Sequence, residues 1–287
     1  MTHVHANANA NAVATGTRLD ENKCPMRMSR PASESIADSD IPRLMRVSEV
    51  AMRYPKDSPM GGVLEWVHNF LAAPHSDVGR KGSVCPFVPL SLEMDTIWMV
   101  EVSEQNPSLE RISAIISEYR DLFLATEPIN GPNSINKAFM VVFPNLGADG
   151  ATVVDDVQYQ LKMDFVEMGL MLGEFHAKNE GEGLRNPDFR PLRSPIPILA
   201  IRHMVDSDLP FLLRSEYPPN KRASFMRSYL TRLAGTLSRS KFETALNGVI
   251  EAEIEKWMSQ MNESDAPATS TWFCPKCKPS DDEQVSQ

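Results

Sequence analysis

From about Pro42 to Trp257, apolar residues recur with two distinct patterns. Segment 107–123 sets Leu109, Ile112, Ile115, Ile116, Tyr119 and Phe123 on one face at helical spacing and predicts an amphipathic helix. Segment 62–74 repeats the pattern with Val63, Leu64, Val67, Phe70 and Leu71, and Pro74 ends it. A third helix is read over 153–172, with Val157, Leu161, Phe165, Met168 and Leu172 inward and its end left open by Gly169 and Gly173. Two more cover about 219–235 and 240–261, and a shorter one begins in 207–215 with Ser207 as N-cap. Between them, 95–102, 137–146 and 195–205 are β-prone runs, apolar for most of their length, as interior strands are. Segment 42–57 reads as a short helix or strand before a Pro turn. Segment 77–89 differs: a Gly-containing basic turn leads into Val84-Cys85-Pro86-Phe87-Val88-Pro89, which its prolines keep out of regular helix.

Strands separated by helices predict an α+β body, a central mainly antiparallel or mixed sheet flanked by helices, whose strand order periodicity leaves open. Residues 1–40 read as a disordered leader, 41–261 as a single catalytic or ligand-binding domain, and 262–287 as a flexible tail. A body this long buries well over half its surface.

A net charge of −9 argues against nucleic acid as the main partner, because phosphate contacts need clustered Lys and Arg. Arginine is nevertheless concentrated in 185–232, where a basic patch would receive an anion. No run of eighteen apolar residues spans a membrane, and the N-terminus lacks a secretory pattern, so a cytoplasmic location is expected. Four cysteines in 287 residues make no disulfide framework. Cys274 and Cys277 have CxxC spacing, but zinc needs four ligands and no second pair lies nearby.

Candidate chemistry gathers in 170–205, which holds His176 and His203 together with Arg185, Arg190, Arg193 and Arg202. Neutral imidazole ligates iron, zinc or copper and also serves as acid or base. Inward arginines must meet carboxylates or an anionic ligand, and planar guanidinium forks suit paired carboxylates. Apolar runs and Met168, Met171 and Met204 suit a large flat ligand as well as they suit ordinary core. Cys85, in a Pro-shaped turn before Phe87, reads either as a thiolate ligand or nucleophile or as a small buried residue. Glu93, Asp95, Glu174, Asp206 and Asp208 read as partners for a cationic substrate or as caps and solvated loop.

Cys85-Pro86-Phe87, then 171-MLGEFH-176, then 183-GLRNPDFRPLRSPIPILAIRHMV-205 and 208-DLPFL-212 together resemble a bacterial family of unknown function found in natural-product gene clusters. The pattern over residues 80–215 is distantly similar to the YqcI/YcgG-type haem-dependent guanidine N-hydroxylases and to the arginine N-hydroxylase of D-cycloserine biosynthesis. It departs from them in the order of Cys85 and Pro86 and in Ala177, which stands where the pattern has a proline. The resemblance implies a haem b iron held by His176, with His203 as distal group and Glu174 beside the substrate. It implies cofactor contacts from Cys85, Phe87, Arg185, Arg190, Arg193 and Arg202, and a small cationic substrate such as an arginine-like amino acid. With no GxGxxG after a strand, electrons would come from a separate reductase or from peroxide. The same residues would serve a haem-binding or sensing protein without turnover, and the arginines alone a haem-free accessory protein. A homodimer is left open.

Overall fold

The computed structural model of the chain describes residues 41–264. The three apolar runs form β2 (Ile97–Glu101), β3 (Ala138–Val142) and β5 (Ile198–His203). They join β1 (Met45–Arg46) and β4 (Leu170–Phe175) in one five-stranded mixed sheet of order β1-β2-β3-β5-β4. β2 and β3 are parallel; every other pairing is antiparallel. β5, last in sequence, sits between β3 and β4, which leaves β4 as a free edge.

Among the described residues, eight α-helices complete the α+β fold: α1 (Val47–Arg53), α2 (Pro59–Trp66), α3 (Val88–Glu93), α4 (Leu109–Ala125), α5 (Gly150–Glu167), α6 (Leu209–Leu212), α7 (Pro219–Leu233) and α8 (Arg239–Ser264). Strand alternation sorts the core into two layers. Val100, Phe139, Val141, Leu172 and Ile201 face α4 and α5, where they meet Ile112, Ile116, Tyr119 and Phe165. Ile97, Met99, Met140, Val142 and Ile198 face the other way, onto Val50, Met60, Val63 and Val67 of the N-terminal helices. Each large side chain so buried contributes roughly 1.5–3 kcal/mol. α6 to α8 form a third group, joined to α5 and β4 through Val166, Met171, Phe225 and Tyr229.

Local chemistry explains where the helices begin and end. Ser108 caps α4 by accepting a hydrogen bond from Arg111 N (3.2 Å). Lys137 closes its other end, donating from Nζ to Phe123 O (2.7 Å) and Thr126 O (2.6 Å), where a helix carries its negative pole.

Five readings of the sequence differ from the structure. The helix expected over 62–74 is α2, capped by Ser58, followed by a π turn at Val67–Leu71. The prolines near Cys85 do not exclude helix: Pro89 lies in the first turn of α3, where its missing N–H costs nothing. The helix expected over 153–172 ends at Glu167, and Leu170–Phe175 is the edge strand. Gly169 makes that turn at φ +77°, a left-handed conformation that a residue with a Cβ avoids. Ser207 is not an N-cap, since it lies inside a 3-10 turn and the Asp208 carboxylate accepts from Val205 N instead (2.8 Å). α8 continues to Ser264, into the stretch read as tail. The leader and the Cys274/Cys277 pair lie outside the described residues.

No helix among the described residues is long and apolar enough to cross a membrane.

Candidate functional site

The cross-strand register opens a space beneath the sheet. One row runs Met99, Met140, Ala200, Gly173 across β2, β3, β5 and β4. Side chains shrink along it to nothing at β4, so the core that methionine fills on one side becomes a cleft on the other. Its volume is about 1230 Å³. Pockets for one small molecule are commonly about 300–1,000 Å³, so this one has room for two ligands or for a cofactor with a substrate.

The cleft wraps around the free edge of β4 and has two ends of different character. On the Gly173 face, Ala138, Met140, Met171 and Ala200 form the floor, and Cys85, Phe87 and Val88 form a wall. The opposite wall is the connection between β4 and β5, through Leu184, Arg185, Phe189 and Leu192. The two walls touch: the His75 and Phe189 rings stack at 4.8 Å, and Asn186 Nδ2 donates to Asp77 O (2.9 Å). Arg202 lies at the floor in a fork with buried Asp208, Nη1 to Oδ2 at 2.7 Å and Nη2 to Oδ1 at 2.6 Å. Cys85 is half-buried and within electrostatic reach of this guanidinium.

On the other face, Leu172 and Glu174 of β4 meet Asp155, Gln158, Tyr159 and Lys162 of α5. Tyr159 and Tyr217 stack with centroids 5.6 Å apart and planes 11° apart. Lys162 is buried and donates to the Tyr217 hydroxyl (2.8 Å) and Phe211 O (3.1 Å); burial lowers its pKa to about 8. Burial pushes the Glu174 carboxyl up to about 7, helped by nearby Asp155 and opposed by Lys162 and Arg214. Among the described residues, Glu174 and Asp156 have no ion pair, and Asp155 pairs with His176 alone.

His176 follows β4 at the rim and is buried, 4 % exposed. Its Nε2 lies 2.9 Å from Asp155 Oδ1, and its Nδ1 is enclosed with no partner. A carboxylate oxygen accepts, so in the neutral ring this pairing puts the proton on Nε2, which also lies 3.5 Å from Asn179 Nδ2, and the lone pair on Nδ1.

The structure thus brings together in one cleft Cys85, Phe87, Glu174, His176, Arg185 and Arg202. It does not bring His203, Arg190 or Arg193 there. His203 faces away from Arg202 across β5, with its ring 5.0 Å from that of Phe123 and its Nε2 enclosed and unpartnered. Burial and the nearby Lys137 lower its pKa to about 4. Arg190 and Arg193 both hold Glu180 (3.1 and 2.6 Å), and Arg193 Nε donates to Asn179 O. They brace the wall from outside.

Arg80, Asp155, Tyr159, Lys162 and Tyr217 also line the cleft and were not among the sequence candidates. The basic turn at 79–82 signalled Arg80. The α5 residues carried no signal, since polar positions on an amphipathic helix look alike until a strand edge lies beneath them.

Among the described residues, no group of three or more His, Cys, Asp and Glu is arranged to hold a metal ion by protein ligands alone. No curated protein and no solved structure matches the chain. A family model described as a domain of unknown function, DUF6875, matches residues 60–244, a span that contains every residue of the cleft named above. The match covers more than half of the sequence, and the chain belongs to the DUF6875 family.

Proposed function

We propose that the chain is a haem-dependent oxygenase that hydroxylates a nitrogen of a guanidine or amine substrate, acting in the cytoplasm with electrons from a separate reductase or from peroxide. The observation that carries the reading is His176. Histidines that ligate metals give their second ring N–H to a carboxylate, which fixes the tautomer and raises the basicity of the ligating nitrogen. His176 has that arrangement with Asp155, and its other nitrogen is enclosed without a partner.

The rest of the cleft suits the same cofactor. The apolar floor, opened by Ala138, Ala200 and Gly173 between Met140 and Met171, and the wall of Cys85, Phe87 and Val88 fit a flat apolar ring system. Arg185 has no ion pair among the described residues, and Arg80 is held only by the carbonyls of Lys81 (3.1 Å) and Val84 (2.9 Å), so both guanidiniums are free for two carboxylates. Arg202, already paired with Asp208, would steady the floor. When bound, haem iron supplies the oxidising chemistry.

The chain's own residues then handle the substrate. Asp155 and Asp156 attract and orient a cation at the acidic end, while the Tyr159 ring, stacked on Tyr217 and covered by the Lys221 ammonium at 4.1 Å, holds that wall in place. Glu174, with its carboxyl poised near neutrality, takes a proton from the cationic nitrogen so that a lone pair is presented for oxidation.

Titration of the purified protein with haem, followed in the visible spectrum, tests the proposal. A stoichiometric Soret band that His176→Ala abolishes or shifts is expected, together with N-hydroxylated product from a guanidine or amine when reductant or peroxide is added. Absence of a Soret band would defeat the haem reading. A band with no product across such substrates would leave haem binding and remove catalysis.

A further inference from the structure

Lys162 is a buried amine to which a haem oxygenase gives no task. It lies on α5 and lines the acidic end of the cleft, yet it is only 4 % exposed. Taking an ammonium out of water is unfavourable unless a carboxylate meets it. Among the described residues Lys162 has no ion pair. The carboxylates in its electrostatic surroundings are Glu174, Glu216 and Asp208. Asp208 is held in the fork of Arg202 (2.6 Å), Glu216 pairs with Arg214 (3.5 Å), and Glu174 is itself close to neutral at pH 7. Lys162 Nζ instead donates to two uncharged acceptors, the Phe211 carbonyl (3.1 Å) and the Tyr217 hydroxyl (2.8 Å).

A second buried lysine shows what a structural one does. Lys137 gives both its hydrogen bonds to the carbonyls that end α4 and packs over the Phe123 ring behind the sheet. Carbonyls only accept, so they favour the ammonium. A hydroxyl also donates, so Tyr217 keeps its bond to Nζ when the amine gives up a proton. Burial raises the pKa of the Tyr217 hydroxyl and holds it in the protonated form. With its own pKa lowered to about 8, Lys162 is neutral in about one molecule in ten at pH 7, against fewer than about one in a thousand for an ordinary lysine. A desolvated neutral lysine is the form that attacks a carbonyl carbon.

We propose that Lys162 is a nucleophile that holds an aldehyde carrying a cationic group as an imine in the acidic end of the cleft. The neutral Nζ attacks the carbonyl carbon, and the π pair of the C=O bond goes to oxygen, which takes up a proton. The nitrogen then loses its N–H protons as the C–O bond breaks. Amine and aldehyde thus give imine and water, with no change in oxidation state. Tyr217, at hydrogen-bond distance from Nζ, passes the proton from nitrogen to oxygen. Charge selects the rest of the ligand. Asp155 and Lys162 lie on one face of α5, two turns and about 10.5 Å apart, so a short chain leads from the imine to Asp155 and Asp156. That cationic half rests on the proposed function, whereas the imine is independent of haem.

The test is mass spectrometry of the full-length chain treated with an aldehyde and sodium cyanoborohydride, which delivers hydride to the imine carbon and fixes the link as a secondary amine. Betaine aldehyde, propanal and glyoxylate serve as cationic, uncharged and anionic probes. Betaine aldehyde should label Lys162 at least roughly tenfold faster than exposed Lys81 and Lys256. The ratio of Lys162 to Lys81 labelling cancels the intrinsic reactivity of each probe, and it should fall from betaine aldehyde to propanal to glyoxylate. Tyr217→Phe keeps the ring that stacks on Tyr159 and should slow labelling of Lys162 at least roughly tenfold, with Lys81 and Lys256 unchanged. Faster labelling of the exposed lysines, or none at Lys162, overturns the proposal. A ratio for glyoxylate as high as that for betaine aldehyde overturns the cationic class of ligand, and an unslowed Tyr217→Phe overturns the proton transfer. None of these readings uses the Soret band, so their failure is distinct from failure of the haem proposal.

Discussion

Glu174 is held at a cost. Its carboxyl is half-buried, with Asp155 nearby, and it prefers to be neutral up to about pH 7, whereas in the unfolded chain it ionises near 4.5. A carboxyl whose folded pKa is raised stabilises the fold only below its unfolded pKa, and that contribution is lost as pH rises through the folded value. Glu174→Gln should therefore be more stable than the wild type at pH 8, on the order of 2 kcal/mol, and indistinguishable from it at pH 4. Denaturant titrations of both proteins at the two pH values check this; an equal difference at both would mean that the carboxyl is not perturbed. A residue kept at the expense of stability in a cleft is a candidate for chemistry. Sequence spacing alone put Arg190 and Arg193 beside Arg185 as equals. Glu180 separates them, because it binds the first two and not the third.

At the scale of elements, β4 decides the site. Its residues continue the apolar spacing of α5, and only Gly169 turns the chain back to form an edge strand. Gly173 then sits where the sheet would otherwise carry a side chain into the cleft. A Cβ built there would lie 3.3 Å from the Phe175 ring, close enough that the ring must shift slightly. A β-branched residue suits a strand, so Gly173→Val should fold with nearly unchanged thermal stability. Under the proposed function it should weaken haem affinity by at least roughly tenfold, about 1.4 kcal/mol, by filling the floor. Calorimetry and haem titration on the same preparation separate the two effects, and unaltered affinity would move the ligand away from Gly173.

Across the whole molecule, the two histidines singled out together have opposite surroundings. His176 reaches a carboxylate at the cleft rim, whereas His203 is turned against Phe123 and Lys137 behind the sheet. With its pKa lowered to about 4 from an ordinary 6.5, His203 costs nothing above pH 6.5 and destabilises the fold progressively as pH falls toward 4. His203→Gln should flatten the loss of stability over that window by up to about 1.4 kcal/mol per pH unit, whatever its effect at neutral pH. A pH series of thermal unfolding measures the slope, and parallel slopes for the two proteins would contradict a depressed His203.

The order of apolar and polar residues determined by itself the α+β class, the helices α4, α7 and α8, and the three central strands, because burial on one face or on both leaves a period in the sequence. It also marked 170–205 as the stretch from which half of the cleft is built. Strand order, the opening in the floor and the division of arginines between the cleft and its outer brace were decided only by tertiary structure. Those depend on which distant residues become neighbours: Gly173 and Ala200 make an opening only once Met99 and Met140 stand beside them in register. His176 acquires a defined tautomer only where Asp155, twenty-one positions earlier, is folded against it.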